Sequence, residues 1–254
     1  SAAVGAVNAV KYLNAGTAEF LRNDDGNFYF IEVNSRLQVE HPVTELVTGL
    51  DLVKLQIHIA SGGEIPFKQN DLKMNGCAIE CRINAEDPLN DFAPSSGPVP
   101  NCNIPYGPGI RVDTYLYPGC TVSGYYDSLV AKLLAWGSNF DEARRRTRNA
   151  LNEFYIEGIN TTIPLYKTII EDKAFIAGDL STDYLERFKL FEKMESVAKT
   201  DIKKNADAIV AAALLHSVLV RRGGSTTAEQ QKTDKQSSRW KDSGRFERSH
   251  SYGI

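Results

Sequence analysis

Phe28-Tyr29-Phe30-Ile31-Glu32-Val33-Asn34-Ser35-Arg36-Leu37-Gln38-Val39-Glu40-His41-Pro42 is the stretch on which the reading of this chain turns. In extended backbone, successive side chains point to opposite faces. Ile31, Val33, Leu37 and Val39 then share one side, and Glu32, Asn34, Arg36, Gln38 and Glu40 share the other. Periodicity alone describes a half-buried strand with a wetted face. The residues just upstream sharpen that picture. Asp24-Asp25-Gly26 is a strong hairpin turn, which lays residues 17–22 against 27–34 and brings Glu19 towards Glu32. Two carboxylates held together are unfavourable without a compensating cation. With Asn34 they offer three oxygen donors, a set suited to Mg²⁺, which takes one or two carboxylates plus water and nucleotide phosphates. Arg36 alongside adds a cation for a transferring oxyanion, so the cluster has the parts for phosphoryl transfer. Spacing does not name the substrate.

Downstream, Pro42 fits the first turn of a helix, where its missing amide costs nothing. The segment to residue 60 carries the apolar stripe Val43, Leu46, Val47, Leu50, Val53 and Ile57, and Gly62-Gly63 closes it. Upstream, Ala-rich residues 1–13 predict a helix ending near Asn14-Ala15-Gly16. Residues 62–71 form a polar connector and a domain boundary. Beyond it, strands are expected at 77–84, 110–117 and 129–136, punctuated by Pro- and Gly-rich turns. Helices are expected at 141–154, with Asp141 and Glu142 at the positive end, and near 164–172, 182–188 and 201–222. Residues 223–254 are Ser/Thr/Lys/Arg/Gln-rich and poor in aliphatics, so they are read as a disordered basic tail. The expected fold class is α+β.

The 254 residues are 42% hydrophobic and 24% charged with a net charge of −3, which gives no reason to expect nucleic acid or a membrane surface as partner. No apolar run is long enough for a membrane-spanning helix. Cys77, Cys81, Cys102 and Cys120 have neither metal-site spacing nor the density of a secreted framework, so they read as reduced structural thiols in a cytoplasmic protein. The opening Ser-Ala-Ala-Val-Gly-Ala-Val lacks an initiator Met and a signal, and reads as part of something longer.

Residues 30–45 closely resemble the signature of the biotin carboxylase family within the ATP-grasp superfamily. Three further blocks follow in the family's order: Glu80-Cys81-Arg82-Ile83-Asn84-Ala85-Glu86-Asp87-Pro88, Gly109-Ile110-Arg111-Val112-Asp113, and residues 125–133. The similarity runs from residue 1 to about 190. It implies residues 1–63 as the C-terminal part of an ATP-grasp domain and 73–190 as the biotin carboxylase C-terminal domain (an antiparallel sheet with helices); residues 191–222, beyond it, are expected as a helical extension.

Carried over residue by residue, the resemblance assigns Glu19, Glu32 and Asn34 to Mg²⁺ or Mn²⁺ beside the ATP phosphates. Arg36, Gln38 and the Val39 amide would hold bicarbonate, and Glu40 would be the general base that prepares it to attack the γ-phosphate. Arg111 would stabilise the oxyanion of biotin's ureido ring; Leu21 and Ile31 would line the adenine pocket. Plainer readings stand beside these. Arg111 alone would be a surface arginine, Arg82 and Glu86 a structural ion pair, His41 a positioning residue, His58 a helix-face residue, and Tyr126 and Asp127 packing or turn residues.

The family's glycine-rich phosphate lid and its lysines have no counterpart here; Gly107-Pro108-Gly109 and Gly62-Gly63 are turns. The expectation is therefore no turnover by this chain alone. No Met-Lys-Met-like biotinylation site occurs, so a biotin carboxyl carrier protein and a carboxyltransferase subunit are the implied partners, with a homodimer by resemblance. The parent would be an acetyl-CoA, propionyl-CoA, pyruvate or other carboxylase. Two other readings remain open: another ATP-grasp carboxylate or bicarbonate ligase, and a non-catalytic dimerisation or assembly module.

Overall fold

The computed structural model describes residues 2–23, 25–204 and 206–223. They divide into two units, one up to residue 198 and one from residue 199 on. The first unit opens with helix α1 (Ala2–Ala9), which buries no residue. Strands β1 (Thr17–Arg22) and β2 (Phe28–Asn34) then form an antiparallel hairpin. The Asn23 side chain accepts from the Asn27 amide at 2.8 Å and Gly26 takes a positive φ of 84°, closing the turn; Asp24 of the expected turn lies outside the described residues. The register sets Glu19 opposite Glu32, then shifts so that Phe20 faces Phe30, leaving Ile31 as the extra residue of a β-bulge. The ribbon is more open than a half-buried strand: in β2 only Asn34 is not exposed.

The strand also stops at Asn34, so residues 35–40 are a loop rather than its continuation. Helix α2 (His41–Thr48) follows with Pro42 in its first turn, and α3 (Leu52–Ala60) after it. One helix was expected over this span. Gly49 breaks it by taking the left-handed conformation with φ 73°, and Asp51 restarts it by accepting from the Lys54 amide at 2.8 Å.

The central sheet joins β3 (Cys77–Asn84) to partners further along the chain. Between them lie short pieces: β4 (Glu86–Asp87), β5 (Ala93–Pro94), β6 (Gly97–Val99) and β7 (Cys102–Asn103). Next come β8 (Ile110–Thr114), β9 (Cys120–Val122) and β10 (Leu129–Gly137). The order β3-β10-β8 is antiparallel throughout, with β4–β5 and β6–β9 as separate ladders. Helix α4 (Phe140–Glu153) is capped by Asn139 and carries Asp141 and Glu142 in its first turn. β11 (Tyr155–Ile156) pairs with β7, and α5 (Ile163–Glu171), α6 (Lys173–Ala177) and α7 (Tyr184–Arg187) follow.

Alternation along the sheet strands separates two faces. Cys81, Ile83, Ala131 and Leu133 point inward to a core completed by Ala150 and Leu151 of α4 and Ile163 and Ile170 of α5. Arg82, Lys132 and Asp113 lie on the other face, towards α2. All four cysteines are free, and burial pushes the Cys81 thiol up to about 12. A smaller core of Leu165, Tyr184, Leu190 and Met194 secures the start of α8 (Leu190–Lys204), ahead of the helical pattern at 201–222 but close to the start of the helical extension expected at 191–222. In the second unit, α9 (Ala206–Gly223) exposes Val210, Leu214 and Leu215. No described helix is long and apolar enough to cross a membrane. The tail read as disordered lies, from residue 224 on, outside the described residues.

Candidate functional site

The hairpin register makes Glu19 and Glu32 direct neighbours, and Asn34 sits between their carboxylates. Its Nδ2 donates to Glu19 Oε1 at 2.8 Å and to Glu32 Oε1 at 3.0 Å. Gln38 Nε2 adds a donor to Glu19 Oε1 at 3.2 Å. Two carboxylates thus converge with only amide protons between them, a donor set that fits a hard divalent cation. Among the described residues no group of three or more His, Cys, Asp and Glu is placed to hold a metal. A pair of carboxylates is the protein share of a Mg²⁺ site in which phosphate and water complete the coordination.

Arg36 is exposed and reaches back to Asn34 Oδ1 at 3.4 Å and to its neighbour's carbonyl, Leu37 O, at 3.2 Å. His41 Nδ1 donates to the Gln38 carbonyl at 2.7 Å, tying the loop to the first turn of α2. Glu40, the N-cap of that helix, meets Arg82 of β3 at 2.8 Å, both side chains about half exposed. Glu19, Arg36, Gln38, Val39, Glu40 and Arg82 line a common cavity of about 440 Å³. Leu21 and Ile31 are 56% and 49% exposed on the open ribbon.

Arg111 is elsewhere. Its guanidinium is held by Asp113 through two hydrogen bonds of 2.8 and 2.9 Å and by Glu45 at 2.7 Å. Those hydrogen bonds raise its already high pKa against the opposing effect of burial. It lines a second cavity of about 360 Å³ with His41, Glu45 and residues of the α2–α3 turn. Arg82 was the residue that sequence reasoning underweighted. Instead of pairing with Glu86, it turns to Glu40, while Glu86 accepts from Asn84 Nδ2 at 3.2 Å and from Ser128 Oγ. The signal was its place on β3 beside the core-facing Cys81 and Ile83, which sends an arginine to the opposite face; the sequence does not say what that face meets.

Residues 80–187 match the family profile described as Biotin carboxylase C-terminal domain, and residues 1–68 that of the Carbamoyl-phosphate synthase L chain, ATP binding domain. The chain is 50% identical over 188 residues to Biotin carboxylase 1 of Bacillus subtilis, a match covering 74% of this chain and 42% of that protein.

The chain belongs to the biotin carboxylase family.

A second relative is the biotin carboxylase of Haemophilus influenzae, 52% identical over 178 residues, covering 70% of this chain and 39% of that one. Among solved structures, the biotin carboxylase domain dimer of the Hydrogenobacter thermophilus 2-oxoglutarate carboxylase, in complex with MgADP, ADP and bicarbonate, superposes with a TM-score of 0.72 at 48% identity. That match covers 74% of this chain and 42% of that one. The chain thus spans about two-fifths of the length of the curated relatives it matches. Its fold is the C-terminal part of the ATP-grasp domain followed by the small antiparallel domain typical of biotin carboxylases.

Proposed function

We propose that this chain supplies the metal and bicarbonate wall of a biotin carboxylase site, working in the ATP-dependent carboxylation of biotin on a carrier protein. The observation that carries the reading is the cavity in which Arg36 and Arg82 flank Glu40, next to the Glu19–Glu32 pair. Glu19 and Glu32, with Asn34 nearby, would hold Mg²⁺ or Mn²⁺, which when bound would neutralise charge on the nucleotide phosphates. Arg36, Gln38 and the Val39 amide would bind bicarbonate, a small anion matched to a guanidinium and amide donors. Glu40 would take its hydroxyl proton, and the oxygen so freed would attack the γ-phosphorus with ADP as leaving group, giving carboxyphosphate. Carboxyphosphate would break down to CO₂ and phosphate; the phosphate would accept the N1′ proton of biotin as N1′ bonds to CO₂. The geometry favours Arg82 over Arg111 for the ureido oxyanion, because Arg82 opens on the Glu40 cavity and Arg111 lies elsewhere, held by Asp113 and Glu45 through three of its five N–H groups.

The assignments extend to residues 1–63 as ATP-grasp and 73–190 as the small domain. Leu21 and Ile31, exposed on the ribbon, would take the adenine. The phosphate-covering loop would come from outside these residues, so the chain alone should not turn over ATP. A cytoplasmic carboxylase with a biotin carboxyl carrier protein, a carboxyltransferase and a second copy as partners fits this reading. The test is ADP formation by the complete carboxylase containing this sequence, with and without bicarbonate and free biotin. ATP turnover indifferent to both would favour another ATP-grasp ligase, and robust biotin-dependent turnover by the isolated chain would overturn its role as a partial site.

A further inference from the structure

Beneath the cavity, the central sheet turns a charged face towards α2. Register places two cross-strand rows on it: Arg82, Lys132 and Asp113 in one, Glu80, Leu134 and Arg111 in the next. Each cation there already has an anion. Arg82 meets Glu40 at 2.8 Å, Lys132 meets Asp113 at 3.4 Å, and Arg111 is shared by Glu45 and Asp113. Glu80 stands apart. Both its carboxylate oxygens are shut off from solvent and have no hydrogen-bond partner, and the fully buried Leu134 opposite offers none. Such a place costs an ionised carboxylate heavily and a neutral acid far less. A native buried polar group without partners calls for an explanation.

The charge balance of the cluster provides one. While Glu40 is ionised, a charged Glu80 would be its surplus anion. When Glu40 gains a proton, Arg82 loses its counter-ion and the cluster is short of one negative charge. Glu80 lies two residues from Arg82 on the same face of β3. We propose that Glu80 is a positioning residue that ionises in opposition to Glu40. It is neutral while Glu40 is charged, and it gives its proton to water while Glu40 holds the proton from bicarbonate, so Arg82 keeps a counter-ion and its place. This rests on Glu40 being the base; the coupling of the two carboxylates does not.

The electrostatics agree with the geometry. Burial pushes the Glu80 pKa up to about 7 against the pull of Lys132 and Arg82, and charge on Glu40 and Asp113 raises it further. Tyr166 of α5 and Cys81 of its own strand also lie within its field, while Arg111 of β8 and Glu45 of α2 share the same charged face.

Carboxyl ¹³C NMR of the glutamate-labelled 254-residue protein reads the coupling without turnover, with Glu80→Gln assigning the resonance. Glu80 should titrate near 7 in the parent and about half a pH unit or more lower in Glu40→Gln, because a neutral neighbour no longer opposes its charge. A midpoint unmoved by Glu40→Gln, or one in the ordinary carboxylate range in the parent, overturns the proposal. Neither ATP nor biotin is present, so this outcome is independent of whether Glu40→Gln abolishes carboxylation. In the complete carboxylase, Glu80→Gln should lower kcat for biotin carboxylation several-fold at about pH 6.5, where Glu80 still holds its proton beside a charged Glu40, with little change in KM for bicarbonate, and Glu80→Asp should restore part of it. A lowered melting temperature with kcat and pH profile unchanged would make Glu80 merely structural and would also overturn it.

Discussion

Glu40 and Arg82 lie forty-two positions apart in sequence and meet at 2.8 Å, joining the N-cap of α2 to the central sheet. An exposed pair of this kind adds little stability, typically below about 1 kcal/mol. Its value lies in geometry: it places a carboxylate and a guanidinium side by side in the lining of one cavity.

Arg82→Ala should therefore cost about 10²–10³-fold in kcat for biotin carboxylation, the usual loss when an oxyanion-stabilising donor is removed, with a melting temperature close to the parent's. Arg111→Ala should cost less than about tenfold in the same assay, beyond what any lost stability explains. Equal losses would return the oxyanion role to Arg111.

Glu40→Gln should lower bicarbonate-dependent ADP formation by about 10²–10⁴-fold, the range for loss of a general base. Glutamine preserves shape and a hydrogen bond to Arg82, so thermal unfolding should stay nearly unchanged. A modest rate loss with normal pH dependence would assign the base elsewhere.

Glu32→Gln removes one of the two facing carboxylates of the hairpin. The Mg²⁺ concentration for half-maximal activity should rise by about tenfold or more. Stability should hold or increase slightly, since like charges no longer face each other. Titration of activity against Mg²⁺ reads the first effect and calorimetry the second.

The raised pKa of Glu80 makes a prediction about stability against pH. The folded state holds this proton up to about pH 7, whereas the unfolded chain releases it near 4.5. Between those values the native state binds more protons, so stability falls as pH rises, and the loss is complete above about 7. Glu80→Gln should remove that loss: nearly no effect at about pH 4, and a gain on the order of 1 kcal/mol at about pH 8, discounted for the side chain's partial exposure. Denaturant titrations at the two pH values check it, and a gain independent of pH would refute it.

Leu133→Ala, at a fully buried position of β10, should cost about 2–5 kcal/mol through lost transfer energy and a cavity. Urea unfolding followed by circular dichroism measures it.

Much of the fold was legible because its signals are local. Cys77–Asn84 matches the expected strand residue for residue, since turn residues bound it and its side chains alternate. The hairpin that pairs Glu19 with Glu32 follows from a turn and two short strands. What escaped depends on contacts or on one backbone angle. Gly49 sits within a good apolar stripe, and only its left-handed conformation divides the helix. The packing of Leu190 and Met194 with Tyr184 at the start of α8 is a tertiary contact with no local signature. Arg82 reads as an ordinary strand residue until α2 is laid across the sheet. Glu80 reads the same way, because enclosure of its oxygens belongs to the assembled cluster and not to its own strand.

Helix α2 is staked at both ends: Glu40 at its start is tied to β3 through Arg82, and Glu45 further along is tied to β8 through Arg111 while also accepting from the Leu52 amide. Two such points fix the direction of a short helix across the sheet better than either would alone. The only link from the ribbon to this helix along the chain is the loop at residues 35–40, the stretch that also carries Arg36 and Gln38. Anything bound by Arg36 and Gln38 would therefore stiffen the link between ribbon and helix.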